Sequence, residues 1–509
     1  MRSVFLLVDG CRSDVFYEML GRGALPNIKK HVSDRGTIVR NAVSVFPSTT
    51  GPAHAPFLTG ALPGPLNVPG IRWFDRAKCS YQDYGPLAWL QFERDYVGPE
   101  AFAMNKDMRS QIKTIFERLK GSVTAAIFEP VSRGAEFVYP PLANVMAKIF
   151  GSLKAFTWEH VDMLAARTFE MVYRCSALAK WMKIPSEPPV FSAVYMPGVD
   201  EVSHEHGPLS KKVQGALANV DRQIGQIAKA LIDLKLYDET TIVLSSDHGL
   251  RPTNLHFDLG KFLSTVGLDV RSFPTTFLQG MGEFDATVAV SGNGMAHVYL
   301  AAEGAEEKTL PFQIVRHDWG QKPKIEDLEN YKIRAGHVNI IDLLRSLLPV
   351  RQVFAAENKD TFHVYSSDGH AVVKKRGTDQ YSYQLVDGLD PLAYKSVVEA
   401  GKMSYGEWLD EEEWLAATCG NEFPDGPIQI SQIFESERSG DLIINARADW
   451  DLMPETPPHK GSHGGLYAQE MNVPLLVANS AQKISPDRPL RTTAVCDILL
   501  AEKDTRTKS

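Results

Sequence analysis

No apolar stretch in the 509 residues approaches the roughly 20 uninterrupted residues that a bilayer-spanning helix needs, so no membrane span is expected. Cysteine is scarce and unpatterned. The five residues Cys11, Cys79, Cys175, Cys419 and Cys496 show no CxxC or other metal-type spacing, and their odd number argues against a disulfide framework. A reducing, cytoplasmic location fits that usage. Basic charge is not in excess either: 62 acidic against 54 basic side chains leave a net charge of -8. Such a chain has no field to capture a polyanionic backbone, and no nucleic-acid polymer is expected as a partner. The first apolar run, Val4 to Val8, is too short for a signal-peptide core and lacks a small-residue cleavage site. Internal repeats and low-complexity tracts are absent, apart from a polar tail after Glu502 that reads as frayed.

What is present is an ordinary globular composition, with 44% apolar residues and enough length for one large domain with insertions or two to three domains. Val4 to Val8 ends in Asp9-Gly10, the look of a parallel strand covered on both faces. The signature returns in Val190 to Met196, which leads to Asp200, and in Thr241 to Leu244, which leads to Asp247-His248. Each places an acidic residue just past a strand's carboxyl end, where open α/β sheets bind ligands. Between the last two, Lys211 to Leu236 carries Val213, Leu217, Val220, Ile224, Ile227, Leu231 and Leu234 at helical spacing, giving a βαβ unit and a parallel sheet. Val473 to Val477 reads as a further buried strand, Ser480 to Pro489 as a loop and Thr492 to Leu500 as a helix.

Between these core segments lie two stretches that look inserted. In the first, Val145, Ile149, Leu153, Phe156, Val161, Leu164, Phe169 and Val172 recur at roughly helical spacing and suggest a core-facing helical cap. In the second, Thr361 to Gln384 alternates around Ser367-Asp368-Gly369 and Arg376-Gly377-Thr378-Asp379, which predicts antiparallel hairpins.

Chemistry-bearing residues cluster at the predicted strand ends. Asp200 and His204 stand one helical turn apart and can face one cation, although such a pair on a surface helix is usually just solvated. Asp247 and His248, adjacent at the end of a buried strand, would be costly without a metal or a partner. His463 lies in the glycine-rich segment Gly461-Ser462-His463-Gly464-Gly465, where backbone can approach a ligand closely, or which is a plain turn. Phe46-Pro47-Ser48-Thr49-Thr50-Gly51-Pro52-Ala53-His54 puts hydroxyls in a constrained loop leading into a helix. They could cap that helix, or one could act as a nucleophile if a divalent cation lowered its pKa.

Taken in chain order, Asp9, Thr50, Asp200 with His204, Asp247 with His248, and His463 resemble the alkaline-phosphatase superfamily, in particular its nucleotide pyrophosphatase/phosphodiesterase branch. The resemblance covers the core segments, about half of the chain, and implies an α/β fold with a mostly parallel central sheet and helices on both faces. The helical insertion and the smaller antiparallel subdomain are expected from the periodicity and alternation above, and the resemblance does not cover them. The division that follows is 1–83, 184–351 and 441–509 as catalytic core, 84–183 as helical insertion and 352–440 as cap.

By the same resemblance, Asp9, Asp247 and His248 would hold one divalent metal together with Thr50, and Asp200, His204 and His463 a second. Zinc suits the set, and manganese or iron are admitted. Thr50 would attack phosphorus in a small phosphate ester, giving phosphodiester or pyrophosphate hydrolysis through a phosphothreonine. Monoester, phosphonate or phosphomutase chemistry, or a silent metal-binding module, are the alternatives. The family's register places the nucleophile four residues before a His, which favours Thr50 and His54, with Thr49 as the other candidate. The chain departs from the branch at Ala53, where Asn usually precedes that His and donates to a phosphoryl oxygen. Cys11-Arg12-Ser13-Asp14 does not provide the nucleophile motif of the sulfatase branch, so Cys11 reads as a packed thiol and Arg12–Asp14 as a local salt bridge.

Overall fold

A computed structural model of the chain describes residues 2–76, 80–81, 94–95, 103–139, 157–174, 185, 187–272, 284–310, 313–453 and 458–504. Its centre is a seven-stranded sheet. Strand β1 (Arg2–Val8) is the middle of it, and β2 (Gly36–Ile38), β3 (Thr124–Ile127), β4 (Phe137–Tyr139), β5 (Phe191–Met196), β6 (Thr240–Ser245) and the strand Leu475–Ala478 complete it. The spatial order is β2, Leu475–Ala478, β6, β1, β5, β3, β4. From β6 to β4 all neighbours are parallel, while Leu475–Ala478 runs antiparallel to both β6 and β2.

Side chains alternate across a strand, so β1 feeds two separate cores. Val4, Leu6 and Val8 pack with residues of α1 (Ser13–Gly21), α2 (Pro26–His31), α3 (Trp158–Arg174) and, after the intervening α4 (Gly198–His206), α5 (Lys211–Asp233). Phe5 and Leu7 pack on the other face with the helices Ala55–Thr59, Ile115–Arg118 and Val495–Asp504. Both faces are covered, which is why β1 is a continuous apolar run rather than an alternating one.

Helix α5 shows how the sequence specifies its element. The Ser210 hydroxyl accepts from Val213 N and caps the first turn, and Val213, Leu217, Val220, Ile224, Ile227 and Leu231 form one buried stripe. Each such side chain contributes about 1.5–3 kcal/mol relative to remaining exposed. Asp221, buried on the same helix, accepts from Ile28 N at 2.8 Å and from Asn27 Nδ2 at 2.8 Å, which fixes α2 against α5. The helix stops at Asp233, three residues before the predicted end, because Lys235 takes a left-handed φ of 60°.

Several sequence expectations change on contact with the structure. Residues 84–183 are not only helical: β3 and β4 belong to the central sheet, and α3 packs on it. The four residues Thr-Ala-Ala-Ile of β3 are too short to show a period, so the pattern of α3 dominated the reading. Val161, Leu164, Phe169 and Val172 lie on α3, whereas Val145, Ile149, Leu153 and Phe156 fall outside the described residues, as do Cys79, Cys175 and the chain beyond 504.

The antiparallel part is larger than 352–440. The hairpins Thr361–Ser366, Gly369–Arg376 and Gln380–Gly388 form as predicted, within a nine-stranded sheet that also takes in Ala286–Ser291, Met295–Leu300 and Leu442–Ala446. Those added strands are buried on both faces and therefore carry no alternation. The run from Val473 to Val477 is split between two sheets, with Pro474 between the strands Asn472–Val473 and Leu475–Ala478. Among the described residues no helix is long and apolar enough to cross a membrane.

Candidate active site

Asp9 follows β1, Asp247 and His248 follow β6, and Asp200 and His204 sit on α4 after β5, so three adjacent parallel strands aim their carboxyl ends at one place. Gly10 lets them converge. It has φ 64°, and a Cβ there would lie 2.6 Å from Asp200 Oδ1, so only glycine lets Asp200 pack against it. His463 arrives from the far end of the chain. Its backbone N donates to Gly292 O at 3.0 Å and its carbonyl accepts from Gly294 N at 2.8 Å, so the turn of the hairpin Ala286–Leu300 grips the ligand loop.

Two compact groups result. In Asp9, Asp247 and His248, and likewise in Asp200, His204 and His463, one donor atom from each residue lies within 4.8 Å of the other two. The two groups adjoin, since the rings of His248 and His463 stack with centroids 3.9 Å apart. Thr50 Oγ1 belongs to the first group, 3.2 Å from His248 Nε2 and 3.3 and 3.4 Å from the Asp9 oxygens. Thr49 is fully buried and its hydroxyl makes no hydrogen bond to that group or to any other described residue, which separates two residues that sequence register alone left adjacent candidates. The structure thus brings Asp9, Thr50, Asp200, His204, Asp247, His248 and His463 together.

The donor chemistry fits cations. His204 Nδ1 faces Gly461 O at 2.8 Å, His463 Nδ1 faces Ser48 O at 3.1 Å and His248 Nδ1 faces Gly249 O at 3.1 Å. A carbonyl only accepts, so each Nδ1 carries a proton, and each Nε2 is the ring nitrogen left to face the site. His204 and His463 turn those nitrogens toward each other at 3.2 Å, a juxtaposition that a bound cation would resolve. Asp200 Oδ1 is buried with no hydrogen-bond partner beside them. Burial, then the charges of Asp247 and Asp200, push the Asp9 carboxyl well above its ordinary range. Burial also opposes the Asp247 carboxylate, but His248 and His54 outweigh it and bring it to about 2. Burial drives the His463 imidazolium down, and His248 adds to the effect. A cluster of conflicting buried charges of this kind is what a divalent ion neutralises.

The surrounding residues were not all visible in the sequence. The Tyr195 hydroxyl, on β5, donates to Asp9 Oδ2. His54, noted before only as a register mark, bridges Asp247 and the buried Glu129. Arg12 does pair with Asp14 at 2.5 Å, and it also donates to Leu250 O at 2.8 Å, so the residue after Cys11 ties the β1 loop to the β6 loop. Cys11 is fully buried and its thiol is pushed up by burial, first, and by Asp14. Ala53 is fully buried and offers no donor where the diesterase branch usually has Asn.

Sheet and site together define an α/β protein with a paired carboxylate–imidazole centre at the carboxyl edge of its central strands. The family described as type I phosphodiesterase / nucleotide pyrophosphatase matches residues 3–466, and the chain belongs to that family. Ectonucleotide pyrophosphatase/phosphodiesterase family member 1 of Mus musculus is 25% identical over 268 residues, which are 51% of this chain and 25% of that protein. The bis(5'-adenosyl)-triphosphatase of Mus musculus is 23% identical over 254 residues, 49% of this chain and 47% of its own. The chain therefore spans between a quarter and about half the length of these curated relatives. Murine ectonucleotide pyrophosphatase/phosphodiesterase 5 in complex with AMP superposes with a TM-score of 0.53 at 13% identity, covering 99% of this chain and 94% of that one. Phosphonoacetate hydrolase from Sinorhizobium meliloti 1021 gives a TM-score of 0.53 at 14% identity, covering 99% and 95%. At such identity the structural likeness is one of fold.

Proposed function

We propose that the chain hydrolyses the phosphodiester or pyrophosphate bond of a small phosphate ester through a covalent intermediate on Thr50. Asp9, Asp247 and His248, with Thr50, hold one divalent cation, and Asp200, His204 and His463 hold a second. Zinc is the ion that tetrahedral sites of mixed imidazole and carboxylate donors favour, with manganese or iron as the substitutes. Bound there, the cations would lower the pKa of a coordinated hydroxyl and offset charge on the phosphoryl oxygens.

The observation that carries this reading is the position of Thr50 Oγ1 at the edge of the first group, with its hydrogen bond directed at Asp9. From there Oγ1 attacks phosphorus in line, and the ester oxygen departs on the side of Asp200, His204 and His463. Water then cleaves the phosphothreonine and restores the hydroxyl. The net charge of -8 supports a small substrate over a polyanion, since the attraction is confined to the centre itself. The free thiols of Cys11, Cys419 and Cys496 support the reducing, cytoplasmic location read from the sequence.

The test compares initial rates of the zinc-loaded protein on a chromogenic phosphodiester and the matching phosphomonoester, with Thr50→Ala in parallel. Faster diester cleavage that is abolished in the variant is expected. A monoester preference would move the activity to a phosphatase or mutase, and full activity in Thr50→Ala would rule out the covalent route.

A further inference from the structure

We infer that His54 is a positioning residue: it clamps the Asp247 carboxylate to Glu129, and so sets the affinity of the Asp9, Asp247 and His248 group for its cation. The inference rests on the metal-centre reading above. His54 and Glu129 are both fully buried, and each ring nitrogen of His54 meets a carboxylate oxygen: Nδ1 lies 3.1 Å from Glu129 Oε1 and Nε2 3.2 Å from Asp247 Oδ2. A carboxylate only accepts, so both contacts are hydrogen bonds only when both nitrogens carry protons. The ring thus differs in kind from His204, His248 and His463, each of which spends one nitrogen on a backbone carbonyl and turns the other to the site.

The clamp is anchored at both ends. Glu129 follows β3, and its Oε1 also accepts from Val131 N at 2.9 Å. The other oxygen of Asp247, Oδ1, accepts from Gly10 N at 3.3 Å. With both oxygens tethered the carboxylate cannot rotate, and it holds Oδ2 3.3 Å from His248 Nε2, where a shared cation would lie. The His54 ring also packs edge-on against Tyr195 at 4.9 Å, whose hydroxyl donates to Asp9. His54 stands four residues after Thr50, with its backbone N donating to Gly51 O at 3.0 Å, so the clamp also sets the nucleophile loop against the first group. Among the described residues the second group shows no histidine bridging a ligand carboxylate to a further carboxylate: His204 and His463 are steadied by Gly461 and Ser48 instead.

The test is a calorimetric titration of the chelator-stripped full chain with zinc chloride. Wild type should bind two ions, and Asp247→Asn should mark which event belongs to the first group. His54→Gln is expected to weaken that event by roughly 10–100-fold, with the other event within about twofold of wild type. Glu129→Gln, which keeps an acceptor for His54 but no charge, should weaken the same event by less, and it carries the test should His54→Gln not fold. Unchanged events in both variants would overturn the inference, as would equal weakening of both events with a loss of thermal stability, the sign of a merely structural role. Wild type that binds no zinc would overturn the metal-centre reading itself, whatever the variants do.

Discussion

Thr49 and Thr50 are neighbouring hydroxyls in opposite surroundings, one packed and unpartnered and the other at the edge of the first ligand group. A buried hydroxyl without a partner costs about 1–3 kcal/mol. Thr49→Val keeps the shape and removes the polar atom, so it is expected to leave diester hydrolysis intact and to raise stability by about 1 kcal/mol, read as a higher urea midpoint at unchanged slope. Thr50→Val should abolish hydrolysis while folding normally. The reverse result would transfer the nucleophile to Thr49. Residues at this scale were legible where chemistry is local in sequence, or where chain order carries the family resemblance, as for Asp9, Thr50 and His463. Asp200 with His204 and Asp247 with His248 stand out because two ionisable groups share a helical turn or a strand end. Glu129 and Tyr195 carry no such mark, since it is the pairing of β3 with β5 and of β5 with β1 that brings them to His54 and Asp9.

At the scale of elements, α4 is held in place from beneath by α3. Asp162 on α3 is fully buried and accepts from Gly198 N at 3.0 Å, and a Cβ on Gly198 would come within 2.3 Å of Asp162 Oδ2. Burial pushes the Asp162 carboxyl up to about 7, against the hydrogen bond from Gly198 that lowers it. An unfolded Asp titrates near about 3.9, so the folded state binds this proton more tightly than the unfolded chain. The stabilisation is full below about pH 4 and is lost as pH rises through the folded value near 7; linkage puts its size at no more than about 4 kcal/mol. Asp162→Asn cannot titrate. Urea unfolding at about pH 5 and about pH 8 should therefore show wild type losing more stability than the variant across that interval, and equal losses would exonerate Asp162. Strong periodicity made α5 readable from its residues alone, and turn chemistry did the same for the hairpins around Gly369 and Gly377. β3, with four residues, is too short to show a period, and the strands Ala286–Ser291 and Leu442–Ala446, buried on both faces, show no alternation and lack the acidic strand end by which β1, β5 and β6 were read.

The molecule as a whole closes its centre from residues as far apart as Asp9 and His463, and the last of these is held by a hairpin of the second sheet. Metal binding at this centre would therefore be linked to global folding, since the unfolded chain has no such site. At a hundredfold excess over its dissociation constant each ion adds about 2.7 kcal/mol. A chelator should lower the calorimetric Tm by several degrees, and zinc should restore it; a Tm indifferent to the chelator would mean that the centre does not stabilise the fold. The same topology bears on synthesis. Leu6 of β1 lies between Val194 and Leu244, so the middle strand of the sheet leaves the ribosome before either of its partners exists. At roughly 5–20 residues per second the delay until Ser245 is made is on the order of 10–50 s. For the part of that interval before β5 is made, β1 has neither of its sheet neighbours to pair with, so the yield of folded protein is expected to fall when translation pauses upstream of residue 191.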